Sequence, residues 1–443
     1  MPDVVDTIRS ESPEQRERFL FDVFTEAFGD LAKADAQAFR GKFRKMAANA
    51  FAFYRGSACL FYADVARDED AFAKSDAGRV WIQGDLHAAN FGTYMNSEGR
   101  LVFDVNDFDE AYVGPFTWDV RRLAASLALL GYEKAMSDDE IAEMTTTMAR
   151  SYVEQVKSFA TDGHDKDFAL MLSNTKGTLL DVLEETRLKT RVALLDDLTV
   201  IEGHDRRFKT GPDTKRIDAD GRKQLEAAFA QYVETIPERK LQPMVSYNIK
   251  DVVSQRGVGI GSAGLPSFNF LLEGQTQALE NDVIIYMKQS APAAPSRVIH
   301  DDRVSKYFLH EGHRTVVSQR ALQAYSDPWL GYAEYNGMGQ LVAEVSPYAN
   351  DLDWGDVNEI DSVLELLGYL GHAVAKIHCV SDIDSDQTLI DVDTDKAISA
   401  AVSGREDEFV TATVNFGKQY GALVRDDHKL FIDAFRNHRI MDL

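Results

Sequence analysis

Trp81–Gly92 reads WIQGDLHAANFG. A short apolar run ends in glycine, and an acid, an imidazole and an amide follow at Asp85, His87 and Asn90. Phosphoryl-transfer sites use an Asp followed five positions later by an Asn. The Asp accepts the proton of the attacking hydroxyl, and the Asn offers oxygen to Mg²⁺. A second magnesium ligand is then expected on an acid just past the next hairpin, where VFDVNDFDE offers Asp104, Asp107 and Asp109. The competing reading is an Asx-rich turn whose side chains bond their own backbone.

The chain around this stretch has 443 residues, enough for more than one core, and its 44% hydrophobic content suits a globular protein. Its net charge of −24, from 72 acidic against 48 basic residues, argues against nucleic-acid or anionic-membrane partners, which need a basic footprint. Two cysteines, Cys59 and Cys379, make no disulfide framework. The N-terminus lacks the apolar core of a signal peptide and no run is long enough to span a membrane, so a cytoplasmic location is expected.

Outward from the opening stretch, RVWIQGD and RLVFDVNDFDE are expected as two strands around the turn NSEG. Helical spacing marks 13–75 and 116–160, with Ser137 as an N-cap followed by acids. Residues 186–223 carry ten Lys/Arg against seven Asp/Glu, a basic island expected as a hairpin or long loop. A solvated insertion is its simpler reading and an anion-binding flap its sharper one. Residues 245–290 suggest three strands, 302–325 a helix, 329–346 two strands around NGMG, and 391–443 helix. Residues 357–380 form the clearest amphipathic helix, with Ile360, Val363, Leu364, Leu367, Leu370, Val374 and Ile377 on one stripe. Segregated helices and strands indicate an α+β fold.

GDLHAAN resembles the catalytic loop of the aminoglycoside phosphotransferase and choline kinase group of the protein-kinase-like superfamily. DFDEAYVGPFTWDVRRLA is similar to that group's magnesium segment. The resemblance implies Asp85 as catalytic base, Asn90 and Asp107 as magnesium ligands, and Asp119 as the residue tying the loop down. Asp104 is a rival to Asp107, and Gln83 stands where the group often has histidine. From about residue 40 onward the chain also resembles an uncharacterised bacterial domain-of-unknown-function family. That family carries GD-x-H-x-x-NFG and NDFDE strings and a later glycine-rich segment followed by a lysine strand.

A kinase-like site also needs a hold on the triphosphate. RGVGIGSAG supplies Gly259, Gly261, Ser262 and Gly264, followed by LPSFNFLLEG, which suggests a strand and not the helix of a dinucleotide fold. A plain tight hairpin is the alternative. Lys288 ends the apolar strand DVIIYMK, where the phosphate-binding lysine would sit, or where an ordinary edge lysine would. Its acid partner is left open between Glu311 and Gln319, neither a clear match. Arg55 and the pair Arg121–Arg122 are candidate anion contacts, although such residues more often serve in salt bridges.

Lys288 follows Asp85 by about two hundred positions, the reverse of the usual order. The resemblance therefore implies a two-lobed, circularly permuted kinase-like fold. The expected division is an N-terminal helical region 1–75, a catalytic part 76–240, a β-rich nucleotide lobe 241–350 with a hinge near VAEVSPYAN, and closing helices 351–443. The expected activity is ATP- and Mg²⁺-dependent phosphotransfer to a small-molecule hydroxyl. The alternatives are a metal-dependent phosphoesterase built on Asp85, His87, Asp104 and Asp107, and an inactive nucleotide-binding pseudo-kinase.

Overall fold

A computed structural model of the chain describes residues 4–237, 247–255, 264–323, 325–355, 357–383, 385 and 387–441. Helices α1 (Val4–Arg9), α2 (Pro13–Ala34), α3 (Ala36–Met46), α4 (Ala50–Gly56) and α5 (Ala58–Val65) come first. Strands β1 (Val80–Ile82), β2 (Phe91–Met95), β3 (Leu101–Val105) and β4 (Tyr112–Gly114) precede helices α6 (Phe116–Glu133), α7 (Asp138–Asp162), α8 (Gly177–Arg187) and α9 (Arg191–Leu198). Next come β5 (Thr199–Glu202), β6 (Asp205–Phe208), β7 (Thr214–Arg216), α10 (Ala219–Thr235), β8 (Ile249–Gln255), β9 (Ser267–Leu272) and β10 (Val283–Gln289). Helices α11 (Asp302–Tyr307) and α12 (Glu311–Leu322), strands β11 (Gly331–Tyr335), β12 (Met338–Glu344) and β13 (Asn350–Asp351), and helices α13 (Ile360–Cys379), α14 (Thr394–Val402) and α15 (Glu406–Arg436) complete the chain. The fold is α+β, and among the described residues no helix is long and apolar enough to cross a membrane.

Two bodies of structure bury separate apolar faces. In the helical body α13 packs on α7, and α15 on α6 and α7. The α13 stripe is buried at Val363, Leu367, Leu370, Val374 and Ile377, because the 3.6-residue period puts these side chains on one face. Helix α6 is apolar almost all round and lies inside, which the flanking helices permit. Ser137 caps α7 in a capping box with Glu140, satisfying two backbone donors that a helix start leaves orphaned. Helices α2, α5 and α15 are joined by Arg16, buried in α2, which bonds both carboxylate oxygens of Asp64 at 2.7 Å and both of Asp427 at 2.9 and 2.6 Å.

The other body is a six-stranded antiparallel sheet, ordered β11-β12-β10-β9-β8-β7. Helix α10 packs at β11 and α12 behind β11 and β12. Asn336 and Gly337 both adopt positive φ in the β11–β12 turn, the twist-matched hairpin for which Asn-Gly is suited.

Three sequence expectations are corrected. The strand before NSEG is Phe91–Met95, paired with β3, whereas Val80–Ile82 pairs with β4. Gly84, at φ +82°, turns the chain out of β1, so the loop 83–90 separates what looked like one strand. The basic stretch 186–223 holds the β5–β6 hairpin but also α9, which buries Leu195, and its last strand β7 joins the main sheet. Its arginines pair inward: Arg206 with Asp196, Arg216 with Asp251, and Arg191 with Glu344 at 2.6 Å. The helix expected over 302–325 is two helices, broken at Phe308–His310, where His310 Nδ1 accepts the His313 N–H and caps α12.

Candidate functional site

The loop after β1 is held from below by α6. Asp119, fully buried in the first turn of that helix, accepts the Gln83 N–H at 2.6 Å and the Gly84 N–H at 3.0 Å. His378, near the end of α13, places Nε2 3.3 Å from the same carboxylate and bonds Tyr152 through Nδ1 at 2.9 Å. A Cβ at Gly84 would run into the Glu110 carbonyl, so the closeness of the loop to the acidic segment requires glycine there. The Gln83 side chain joins the two: its Nε2 donates to the carbonyls of Asn106 and Asp107, and its Oε1 accepts the Asp85 N–H at 2.8 Å. The Ser126 hydroxyl accepts from Ala88 N, and Trp354 Nε1 donates to Ala88 O.

Asp85 faces Arg122, one helical turn past Asp119. Arg122 is fully buried, donates from Nε to Asp85 Oδ1 at 2.8 Å, makes a second short bond there, and lies over the Tyr54 ring. Burial drives the Asp85 carboxyl up, Arg122 pulls it down, and Glu110 and Asp107 push it up again, to about 7. That is the range in which a carboxylate can take and return a proton near neutral pH. His87 is buried against Phe51 and accepts from Ala89 N through Nδ1. Burial together with Arg55 and Arg122 holds its pKa far below normal, and its Nε2 lies 3.7 Å from Asp85 Oδ2 in the cavity lining. Asn90 donates its side-chain N–H to the Asp85 carbonyl at 3.0 Å.

Asp107 adopts φ +55°, an uncommon conformation that Asp tolerates and that is frequent where a side chain is aimed at a ligand. Its carboxylate opens to the cavity while protein crowds it on other sides. Burial and then Asp109 raise its pKa to about 6, against the pull of Lys288. Asp104, its rival, points the other way. It is 3% exposed and held by Lys376 of α13 and by Val105 N. Lys288 stands on β10 and pairs with Asp109, the partner that the sequence left open. Asp109 and Asp107 outweigh the effect of burial and hold that ammonium above its ordinary pKa. Glu311 pairs with Arg314 instead, and Gln319 bonds Gln323.

Asp85, Asp107, Asp109 and Lys288 line one cavity of about 730 Å³ between the sheet and the helical body, an ordinary size for a small-molecule site. Tyr286, Leu341 and Ala343 give it an apolar wall, and Val345 to Asp351 its edge. Of the glycine turn, Gly259, Gly261 and Ser262 lie outside the described residues. Gly264 has φ +79° and packs at the α2–α3 junction, away from the cavity lining. Gln255 and Ser267, which end β8 and begin β9, do line the cavity. Asn90 is buried beneath the loop and is not among its lining residues. Arg55 is in the lining, while Arg121 pairs with Asp68 and Asp70. Of the phosphoesterase set, Asp85, His87 and Asp107 line the cavity, with His87 Nε2 3.7 Å from Asp85 Oδ2, while Asp104 is held by Lys376.

Sequence reasoning gave Arg122, Gln83 and Asp109 too little. For Arg122 the signal was present: Asp119 and Arg122 are three apart on one helix, so a helix that anchors the loop by the first meets Asp85 with the second.

These features belong to a family whose model spans almost the whole chain. The chain is a member of the DUF2252 family, described as an uncharacterized protein conserved in bacteria, with residues 34–434 matched. Neither the curated proteins nor the solved structures compared with it gave a match.

Proposed function

We propose that the cavity binds ATP with Mg²⁺ and transfers the terminal phosphoryl group to a hydroxyl of a small molecule, on a circularly permuted kinase-like fold. The observation that carries this reading is the convergence on one cavity of Asp85 and Lys288, 203 positions apart, with Asp107 between them. Lys288 lies on the third of three consecutive strands with a helix following, the place of the kinase lysine. The end of α13 packs against β1, as a helix leading into the catalytic loop would if the chain were joined there. The N- and C-terminal helices also touch, which permits such a rearrangement.

In this reading Asp85 accepts the proton of the acceptor hydroxyl as its oxygen attacks the γ-phosphorus. The new O–P bond forms, the bond to the β-phosphate's bridging oxygen breaks, and ADP leaves. Arg122 holds Asp85 in position and keeps its charged form accessible. Lys288 meets the phosphates, and the apolar wall of Tyr286, Leu341 and Ala343 receives the base. Asp107 fits a cation, since its carboxylate is open, whereas that of Asp104 is occupied by Lys376. Asn90, buried outside the cavity lining, holds the Asp85 backbone instead, and bound magnesium would neutralise the developing phosphate charge.

The test is ATP affinity, with and without Mg²⁺, for wild type and Asp107→Ala. Magnesium-dependent binding that disappears in the variant is expected, and equal affinity with magnesium present would remove the metal role. One specific observation favours an inactive nucleotide-binding protein: α12 and its C-cap contribute the amides Gln319 and Gln323, and no acid, to the cavity that Lys288 lines. ADP release on incubation with candidate hydroxyl compounds, lost in Asp85→Asn, separates the two.

A further inference from the structure

Arg55 is a charged group of the cavity that the phosphotransfer step does not use. It stands in the last turn of α4 and shares the lining with Asp85 and His87. Its Nε is buried without a hydrogen-bond partner, and among the described residues no carboxylate pairs with its guanidinium. The chain holds 72 acidic against 48 basic residues, and Asp85, Asp107 and Asp109 line the same space. In such surroundings an arginine ordinarily finds a carboxylate. Lys288, the other cation of the lining, is paired with Asp109.

The neighbours of Arg55 on α4 fix where it stands. Asn49 caps the helix by accepting the Ala52 N–H at 2.7 Å. Tyr54 donates its hydroxyl to the Arg122 carbonyl at 3.0 Å, and Arg122 Nη2 donates to the Tyr54 carbonyl at 3.1 Å. Arg122 in turn donates to Asp85, so the backbone that carries Arg55 is tied to the carboxylate that takes the proton. Phe51, on the turn before Arg55, meets the His87 ring edge-on at 6.0 Å. Residues four apart share one face of a helix, so Arg55 rises beside His87, whose Nε2 is 3.7 Å from Asp85 Oδ2. The guanidinium and the proton acceptor therefore both stand on the helical body, while Lys288 stands on the sheet.

We infer that Arg55 receives an oxyanion of the acceptor, a carboxylate or a phosphate, so that the compound phosphorylated is an anionic alcohol; this rests on the phosphotransferase reading of the cavity. A guanidinium presents its N–H donors in a planar fork that matches the paired oxygens of either group. Arg122 does not take this part, because it is fully buried and engaged by Asp85 and Tyr54. With the anion seated at Arg55, the hydroxyl of the acceptor faces Asp85, which takes its proton as the oxygen attacks the γ-phosphorus. The oxyanion forms and breaks no bond in this step. It contributes orientation, holding the hydroxyl where the reaction needs it. Carboxylates crowd much of the remaining lining and repel an anion there, which confines its docking point to Arg55 once Lys288 meets the triphosphate.

The experiment uses the full chain. The nucleotide site is first filled with magnesium and a non-hydrolysable ATP analogue, whose affinity is measured by calorimetry in each protein and shows that each has folded. Glycerate, glycerol 3-phosphate, glycerol and 3-amino-1,2-propanediol are then titrated, so that one small alcohol is offered with a carboxylate, a phosphate, no charge and a cation. At least one of the two anions should bind roughly tenfold or more tightly than glycerol, and the tighter of them tells which oxyanion the site takes. Arg55→Gln should weaken that anion roughly tenfold or more, while Arg55→Lys, which keeps the charge without the fork, retains part of the affinity. Anions that bind no better than glycerol, an amine that binds best, or an anion whose affinity survives in Arg55→Gln overturns the inference and leaves the nucleotide site standing. A wild type that does not bind the analogue removes the phosphotransferase reading, and this inference with it.

Discussion

Replacing Lys376 by methionine tests whether Asp104 is a structural acid. Lys376 is 4% exposed and Asp104 3%, and the ammonium also donates to the Leu322 carbonyl at 3.0 Å. Methionine keeps much of the stem's volume but leaves the carboxylate with only the Val105 N–H. Removing one partner of a buried ion pair costs about 3–5 kcal/mol, because the other charge stays in the interior. Burial already raises the Asp104 pKa in spite of Lys376. In the variant the carboxyl rises further, so protonation relieves the strain. A raised acid contributes stability at low pH that is lost as pH climbs through its folded value. The destabilisation should therefore be close to its full 3–5 kcal/mol at pH 8 and clearly smaller at pH 5.5. Lys376→Met/Asp104→Leu should recover most of it, since an apolar pair often replaces a buried ion pair without loss. Urea unfolding of the three proteins at both pH values measures this. A single variant within about 1 kcal/mol of wild type would refute the structural role. So would a double variant that folds normally but loses magnesium-dependent ATP binding.

The remaining predictions concern the cavity. In the proposed phosphotransfer Asp85 must be ionised to accept a proton, so with its pKa raised to about 7 the rate should climb with pH toward a plateau above that value. Arg122→Gln, which removes the downward pull, should move this limb to higher pH, and a kcat/KM profile for each protein decides it. Lys288→Met should weaken ATP binding at least tenfold by calorimetry while Lys288→Arg retains part of it, and unchanged affinity in both would exclude Lys288 from the phosphates. Gly84→Ala should cost more than about 1 kcal/mol from its positive φ alone, with the Glu110 clash in addition. A variant as stable as wild type in urea would contradict that close approach.

How much of this was legible depended on the range over which each feature is encoded. The three strands of 249–289, the α13 stripe and the Ser137 cap are local patterns, and periodicity and capping chemistry exposed them. The pairing of β1 with β4 was hidden because strand partners are chosen across loops, and Val80–Ile82 is too short to show alternation. The rivalry of Asp104 and Asp107 could not be resolved locally. Both follow β-type residues, and what separates them is Lys376, 272 positions on. The partner of Lys288 was sought on the following helix, whereas the nearest carboxylate came from the far segment DFDE. Arg122 was discounted because surface arginines commonly pair without consequence. Its full burial, which makes its bond to Asp85 matter, depends on the packing of α4, α5 and α6 together.

The guanidinium of Arg16 sets a timetable for synthesis. Its partner Asp427 lies 411 residues further along the chain. At about 5–20 residues per second a ribosome needs roughly 20–80 s to make that stretch. Until then α2 can meet Asp64 but cannot complete its charge pairing, and the aromatic face that it shares with α15 stays uncovered. The nascent protein therefore carries an α2 with incomplete charge pairing until α15 has been made. Completion of α15, not emergence of α2, is the event that closes this charge pairing.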